Sequence, residues 1–290
     1  MQEKRNKAKV LITGSNGQLG QCLKKIEKDY PTLDMYFTDS KALDITQKDQ
    51  IDKVFSGRKF DFVVNCAAFT NVERAEKESE RAFLINAEGV KNLAELCREH
   101  GAVLIHISTD YVFDGRKGAP YTEEDIPNPI NEYGKSKLEG EKYVQEILEK
   151  YFIIRTSWLY SEFGNNFFTT ILKKSKSEKK LKVTMAETGT PTNANDLANF
   201  ILHIINLNSS KYGIYHFSSL GKATWYDFAE EILRLSGKLD TIKLEKTDNY
   251  PTFARRPKYS VLDKKKFHEI SNLNISKWPV SLRKLLKSLQ

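Results

Sequence analysis

The sequence predicts an α/β protein: a doubly wound parallel sheet joined to a smaller C-terminal α/β unit. Three observations carry this. Short apolar runs of the buried-strand kind alternate with helical patterns along the first half of the chain. A glycine-rich turn stands where the first strand passes into the first helix. Later strands end in small and polar residues, where open α/β sheets place their ligands.

Lys9-Val10-Leu11-Ile12-Thr13 reads as a buried strand. It runs into Gly14-Ser15-Asn16-Gly17-Gln18-Leu19-Gly20 and then a helix through Cys22-Leu23-Lys24-Lys25-Ile26. G-x-x-G-x-x-G at such a junction is the pattern of a dinucleotide site in a Rossmann-like sheet. Gly14 permits the tight turn, Gly17 lets backbone approach a pyrophosphate, and Gly20 lets helix lie on strand. The helix N-terminus then faces the phosphates. The second strand, Asp34-Met35-Tyr36-Phe37-Thr38, ends at Asp39. An acid there suits the adenosine ribose of NAD, whereas Ser40 and Lys41 suit a 2′-phosphate, so NADH and NADPH both stay open. In Leu43-Asp44-Ile45-Thr46, Asp44 is a candidate adenine contact or a simple turn residue.

Phe60 to Ala68 is an apolar strand ending in small residues, against which a cofactor can lie. A helix follows from about Arg81 to His100 and carries Asn86. Ala102 to Ile107 is another continuous apolar strand, and it delivers Ser108-Thr109-Asp110-Tyr111-Val112-Phe113 at its end. Thr109 is placed either to polarise a carbonyl or to cap the strand end. His106, inside the strand, reads as a satisfied core histidine rather than a base.

Tyr133-Gly134-Lys135-Ser136-Lys137 opens a helix in which Tyr133 and Lys137 lie one turn apart on one face. The lysine charge favours the phenolate, so the tyrosine is expected to exchange its proton nearer neutral pH than the usual value of about 10. That suits a group protonating an oxygen as hydride arrives at carbon. Alone, the pair also fits an amphipathic surface helix. With Thr109 it forms a Thr–Tyr–Lys constellation that a surface helix does not account for.

Beyond it, Phe152 to Ser157 is a further strand. Asn165 to Leu172 starts a helix expected to end in a solvated Lys-rich run to Lys182. Asn195 or Asp196 caps the next helix, and Gly213 to Phe217 is the last strand expected in the sheet. An amphipathic helix begins at Thr224, and another ends the chain at Gln290. The cofactor part is placed at 1–156 plus about 193–217, and the substrate part at about 157–192 plus 218–290. Arg256 is a candidate for a substrate pyrophosphate, with a salt bridge as the plainer role.

Composition narrows the class. The three cysteines fit no metal-site spacing and read as buried thiols in a reducing cytoplasm. No apolar run approaches the roughly 20 residues that span a bilayer, and the charged N-terminus is no secretory signal. The net charge of +8 is spread over dispersed lysines without a nucleic-acid module, and suits an anionic small substrate.

These residues resemble the extended short-chain dehydrogenase/reductase superfamily and, within it, the dTDP-4-dehydrorhamnose reductase family. The resemblance covers nearly the whole chain. It rests on Gly14 to Gly20, Leu43-Asp44-Ile45, Asn65 to Val72 with Ala75-Glu76, Ser108 to Phe113, Asn131 to Lys137, Arg155 to Tyr160, Gly189-Thr190-Pro191-Thr192 and Ala254 to Asp263. It implies an NADPH-dependent reduction, with NADH as a further donor, of the C4 ketone of a dTDP-linked 4-keto-6-deoxysugar for cell-surface polysaccharide. Gly17, Gln18 and Leu19 would meet the cofactor phosphates, Asp39 the ribose, and Asp44 and Ile45 the adenine. Ala67, Ala68, Phe69, Thr70 and Ile107 would line the cofactor channel. Tyr133 would be the proton donor, Lys137 would hold the nicotinamide ribose and lower the tyrosine pKa, and Thr109 would polarise the ketone. Asp110 and Trp158 would touch the deoxysugar. Dehydratases of the superfamily carry Thr-Asp-Glu; Tyr111 in the third place argues for reduction alone. Two other readings stay open: a dinucleotide-binding regulatory subunit resembling the β subunit of methionine adenosyltransferase, and a reductase of another nucleotide sugar. Some members of the family dimerise through a magnesium ion. Ala186-Glu187-Thr188 departs from the family pattern there, so no metal ligand is assigned and monomer and homodimer both stand.

Overall fold

The computed structural model describes residues 7–248 and 251–290; the charged N-terminal stretch lies, up to residue 6, outside them. Strand β1 (Ala8–Thr13) is followed by helix α1 (Gln18–Lys25), β2 (Leu33–Phe37), α2 (Lys48–Gly57) and β3 (Phe62–Asn65). Next come the single turn α3 (Val72–Ala75), α4 (Ser79–Phe83) and α5 (Gly89–His100). The chain then forms β4 (Val103–Thr109), α6 (Glu132–Ile147) and β5 (Tyr151–Thr156). After β6 (Leu159–Tyr160) stand α7 (Phe167–Ser177), β7 (Lys180–Thr184), β8 (Thr188–Gly189), β9 (Thr192–Asn193), α8 (Ala194–Asn206) and β10 (Gly213–His216). The last part carries β11 (Ala223–Thr224), α9 (Trp225–Leu235), β12 (Lys243–Thr247), α10 (Phe267–Ile270) and α11 (Trp278–Ser288).

Six parallel strands form the main sheet in the order β10-β5-β4-β3-β1-β2. Alternate residues of each strand feed opposite faces, as the two-residue period requires. Val10, Ile12, Val64, Ile105 and Ile154 pack with α1 and α8 on one face, where Phe267 and Ile270 join them. Leu11, Val63, Leu104 and Ile153 pack with α2, α5 and α6 on the other. Both faces are covered, which explains the unbroken apolar runs. The direction of winding changes between β1 and β3, and the crevice beyond their C-terminal ends is the ligand position of such sheets. A separate apolar cluster joins α7, α9, α11 and β7.

The glycine turn is required by close approach. Gly14 has φ +63°, and a Cβ there would stand 2.6 Å from the Ala67 nitrogen. At Gly20 a Cβ would fall 2.5 Å from Ser15 Cα, so α1 lies directly on the turn below it. Gly20→Ala is expected to lower stability by about 1–3 kcal/mol through this overlap. It should also weaken dinucleotide binding, read by urea unfolding and by fluorescence titration.

Four local expectations are corrected. The Lys-rich run is not a helix to Lys182: α7 stops at Ser177, and Lys180–Thr184 forms a parallel pair with Lys243–Thr247. Its apolar residues alternate, with Leu181 and Val183 buried and Lys180 and Lys182 exposed. The cap of α8 is Asn193, whose side chain accepts from the Asn195 N–H, while Asp196 accepts from the Ser281 hydroxyl. The helix expected from Arg81 to His100 runs on from α4 but contains a π turn at Leu84–Glu88. That turn directs the Asn86 carbonyl at Gly140, where any Cβ would collide with it. Cys22 and Cys97 are buried as expected, but Cys66 is only half-buried.

Candidate active site

The site is assembled at the C-terminal ends of β1, β3 and β4 and at the start of α6. The Asn131 side chain caps α6 by accepting from the Gly134 N–H at 2.7 Å. Gly134 has no alternative, because a Cβ would overlap the Tyr111 carbonyl. This close approach sets the Tyr133 ring edge-on to Tyr111, with centroids 5.8 Å apart at 74°. Lys137 is buried one turn further on. Its Nζ donates to the Ile107 carbonyl at 2.7 Å and faces His106 Nε2 at 3.3 Å. Thr109 ends β4. Its Oγ1 accepts from the Tyr111 N–H and donates to Asp110 Oδ1, both at 3.1 Å.

The electrostatics correct one expectation. Burial pushes the Tyr133 phenol up to about 12, opposed by the Thr109 hydroxyl. Burial lowers Lys137 to about 8, although Glu141 and Cys66 act the other way. The amine is engaged by β4, and burial of the phenol, not the lysine charge, sets the direction of its shift in this arrangement. Asp110 is raised to about 7 by burial, against the pull of Ser260 and Thr109. His106 is fully buried and, as expected, partnered.

Two cavities meet here. One, of about 720 Å³, is lined by Gly14, Gly17, Asp39, Asp44, Ile45, Ala67, Ala68, Phe69 and Thr70. The other, of about 580 Å³, is lined by Gln18, Leu19, Ile107, Thr109, Asp110, Tyr133, Lys137, Trp158 and Arg256. Asn16, Gly17, Cys66, Ala67, Ala68 and Thr70 line both. Of the site residues expected from sequence, Gly20 alone lines neither; it lies beneath the turn. Asp39 is held by Asn16 Nδ2 at 2.6 Å and by the Lys41 and Ala42 N–H groups, and these contacts keep its carboxyl below the usual range. Asp44 accepts from Thr46 in a tight turn, the plainer of its two expected roles, while bordering the cavity.

The residues present suit a dinucleotide. Helix α1 starts without a side-chain cap and has no acid in its first turn, so its N–H groups are free for an anion. Lys41, Arg74 and Arg81 border the first cavity. No group of His, Cys, Asp and Glu among the described residues has the geometry to hold a metal ion.

For several site residues the sequence named the residue but not the partners that hold it. Trp158, with φ +45°, stacks on Trp225 at 3.6 Å and 4°. Gly189 makes room under it, since a Cβ there would stand 2.5 Å from the ring. Gln18 donates to the Leu159 carbonyl and accepts from Asn166, tying the glycine turn to the segment before α7. Asn86 bonds both backbone groups of Phe69 and the Ser136 hydroxyl, locking the cavity wall to α6. Arg256 pairs with Glu73 at 2.8 Å, yet its Nε has no hydrogen-bond partner among the described residues. A third cavity of about 370 Å³ shares Phe167, Trp225 and Arg256 with the second and runs along α7 and β7.

Comparison with known proteins places this architecture. The family described as RmlD substrate binding domain matches residues 8–290. The curated dTDP-4-dehydrorhamnose reductase of Aggregatibacter actinomycetemcomitans is 38% identical over 288 residues, covering 96% of this chain and 98% of that protein. The chain belongs to the dTDP-4-dehydrorhamnose reductase family. Two crystal structures of the family are similar throughout. That from Bacillus anthracis, in complex with NADP, has a TM-score of 0.93 and 38% identity, covering 97% of this chain and 99% of its own. The Clostridium acetobutylicum structure has a TM-score of 0.92 and 42% identity, with coverage of 97% and 99%. Within this family framework the cavities, the α1 N-terminus and the Thr109–Tyr133–Lys137 cluster lie along one groove. No helix among the described residues is long and apolar enough to cross a membrane.

Proposed function

We propose that this protein reduces the C4 ketone of dTDP-4-dehydro-L-rhamnose with NADPH, giving dTDP-L-rhamnose for polysaccharide synthesis in the cytoplasm. The observation that carries this reading is the convergence of Thr109, Tyr133 and Lys137 on the second cavity, which shares Gly17, Ala67, Ala68 and Thr70 with the first, in a chain of this family. Bound nicotinamide supplies the hydride. The chain supplies the proton and the geometry. Tyr133 gives its phenolic proton to the forming C4 alkoxide, and Thr109 directs a hydroxyl at the same oxygen. Lys137 holds the nicotinamide ribose. Gly14, Gly17, Gln18 and Leu19 carry the cofactor pyrophosphate, with Gly20 giving the turn its support. Asp39, Asp44 and Ile45 border the adenosine, and Ala67, Ala68, Phe69, Thr70 and Ile107 form the wall of the channel.

Asp110 and the Trp158 ring face the deoxysugar, and Arg256 meets the nucleotide diphosphate through its guanidinium edge. The third cavity extends past Arg256 and would take the nucleoside end. In this reading the sheet and α8 form the cofactor-binding part, and α7, α9, β7, β12 and α11 form the sugar-nucleotide part. Every residue named for the site comes from one chain, which suits a monomer and a homodimer alike.

The test is nicotinamide absorbance in a coupled assay, with dTDP-4-dehydro-L-rhamnose made in place by upstream enzymes. Sugar-dependent oxidation of NADPH supports the reading, whereas binding without oxidation overturns it. Running NADPH and NADH side by side ranks the donors. Lys41→Glu should raise the KM for NADPH roughly tenfold, about 1.4 kcal/mol, while changing that for NADH little. Equal effects on both would remove Lys41 from 2′-phosphate recognition.

A further inference from the structure

One buried titratable group has no part in the reaction as written above: His106. It sits in β4 directly behind Lys137. Its hydrogen bonds fix where its proton lies. The Ala67 backbone N–H, which only donates, meets Asn65 Oδ1 at 3.1 Å, and the Thr13 hydroxyl donates to the same oxygen at 2.7 Å. The amide orientation of Asn65 is therefore set by a backbone donor. Its Nδ2 faces His106 Nδ1 at 3.2 Å. An amide nitrogen donates and does not accept, so Nδ1 must be the acceptor and carries no proton. The proton of the neutral ring is then on Nε2, which stands 3.3 Å from Lys137 Nζ.

That contact discriminates between the two states of the lysine. An ammonium has three donors and no acceptor, so it meets the Nε2–H as donor against donor. A neutral amine receives the same N–H on its lone pair and still donates to the Ile107 carbonyl at 2.7 Å. An imidazolium is disfavoured as well, because a proton on Nδ1 would point at the Asn65 amide. We propose that His106 is a positioning residue for Lys137: held as the Nε2–H tautomer, it presents that proton to the amine and favours the neutral amine over the ammonium. The proposal rests on reading Lys137 as part of the reducing site.

The other groups facing Lys137 are few. On its own helix these are Tyr133 and Glu141. Glu141 favours the charge, but it is already tied to Arg155 and Ser108. From the end of β3 comes Cys66, and from β4 only the Ile107 carbonyl besides His106. The lowered value of Lys137 and the strongly lowered value of His106 agree with the geometry, burial being the first cause of both. The consequence is a lysine that titrates near working pH instead of remaining a fixed cation. It helps the departing Tyr133 proton only while charged, so activity falls as pH rises through its titration.

Two measurements test this. Nitrogen-15 NMR of the histidine-labelled full chain, with the His106 signal assigned by its loss in His106→Asn, should show the Nε2–H tautomer unchanged between pH 6 and 9. An Nδ1–H or charged ring overturns the proposal, whatever the enzyme's substrate proves to be. The second measurement is kcat against pH. His106→Asn keeps an acceptor for Asn65 but places nothing at Nε2, so the alkaline limb should move up by about one pH unit, the scale of one hydrogen bond to the neutral amine. His106→Gln restores an N–H near Nε2 and should return the limb toward its original place. Superimposable profiles for His106→Asn and the unsubstituted enzyme overturn the proposal. If no keto sugar is reduced at all, the proposed function fails, and the NMR result still decides the tautomer.

Discussion

Tyr133→Phe should lower kcat by about a hundred- to ten-thousand-fold, the range of a lost general acid, while leaving NADPH affinity nearly unchanged. The reason for the split is geometric. The substitution removes one hydroxyl and keeps a ring that is edge-packed on Tyr111 at 5.8 Å. The start of α6 is fixed separately, by the Asn131 cap and the contact of Gly134 with the Tyr111 carbonyl. Lys137 and the start of α6 are therefore held without the lost oxygen, whose own partner is the Thr109 hydroxyl. The structure also explains why a tyrosine raised to about 12 serves this reaction. Reduction needs the phenol protonated when hydride arrives, and a raised value keeps it so across the neutral range. The requirement for stabilising charge comes afterwards, on the phenolate, and falls to Thr109 and Lys137. Stopped-flow absorbance with a parallel fluorescence titration separates the two effects. Full turnover by the variant would remove Tyr133 as proton donor, whereas loss of cofactor binding would make it a binding residue.

What the sequence disclosed was local in the chain. The glycine turn, the strand ends at Asn65 and Thr109, and the Tyr133–Lys137 pair each follow from spacing within a few residues, and the structure brings them to one groove. Features set by partners far apart were not legible. Lys180–Thr184 reads as a charged helix end until Lys243–Thr247 is seen beside it, and a parallel pair so remote leaves no local mark beyond a two-residue alternation. Trp158 gives no hint that Trp225 stacks on it, and Arg256 none that Glu73 holds it. The π turn at Asn86 answers to Gly140 on another helix. The expected effect of Lys137 on Tyr133 went astray for the same reason. Their spacing was readable, but Ile107 and His106, which engage the amine, come from a strand thirty residues upstream.

Arg155→Met should cost roughly 3–5 kcal/mol of stability, the scale for breaking one side of a buried ion pair. Arg155 and Glu141 are 2% and 0% exposed and meet at 2.7 Å. The guanidinium also lies 5.2 Å from the Phe113 ring, and Glu141 accepts the Ser108 hydroxyl as well. Removing the arginine leaves Glu141 charged, buried and held only by that hydroxyl. Because Ser108 precedes Thr109 and Glu141 follows Lys137 by one helical turn, the damage should reach the site: kcat falls along with the urea midpoint. The double variant Arg155→Met/Glu141→Leu distinguishes an unpaired charge from lost packing. If the uncompensated carboxylate is the cause, the double variant should recover most of the lost stability, since an apolar pair of similar volume often equals a buried ion pair. Its kcat should recover less, because Ser108 no longer has the carboxylate that fixes the end of β4 against α6. A double variant as unstable as Arg155→Met would place the cost in packing around Phe113 instead. Recovery of stability without activity would show that the pair is kept in this core for the geometry it imposes on Thr109 and Lys137.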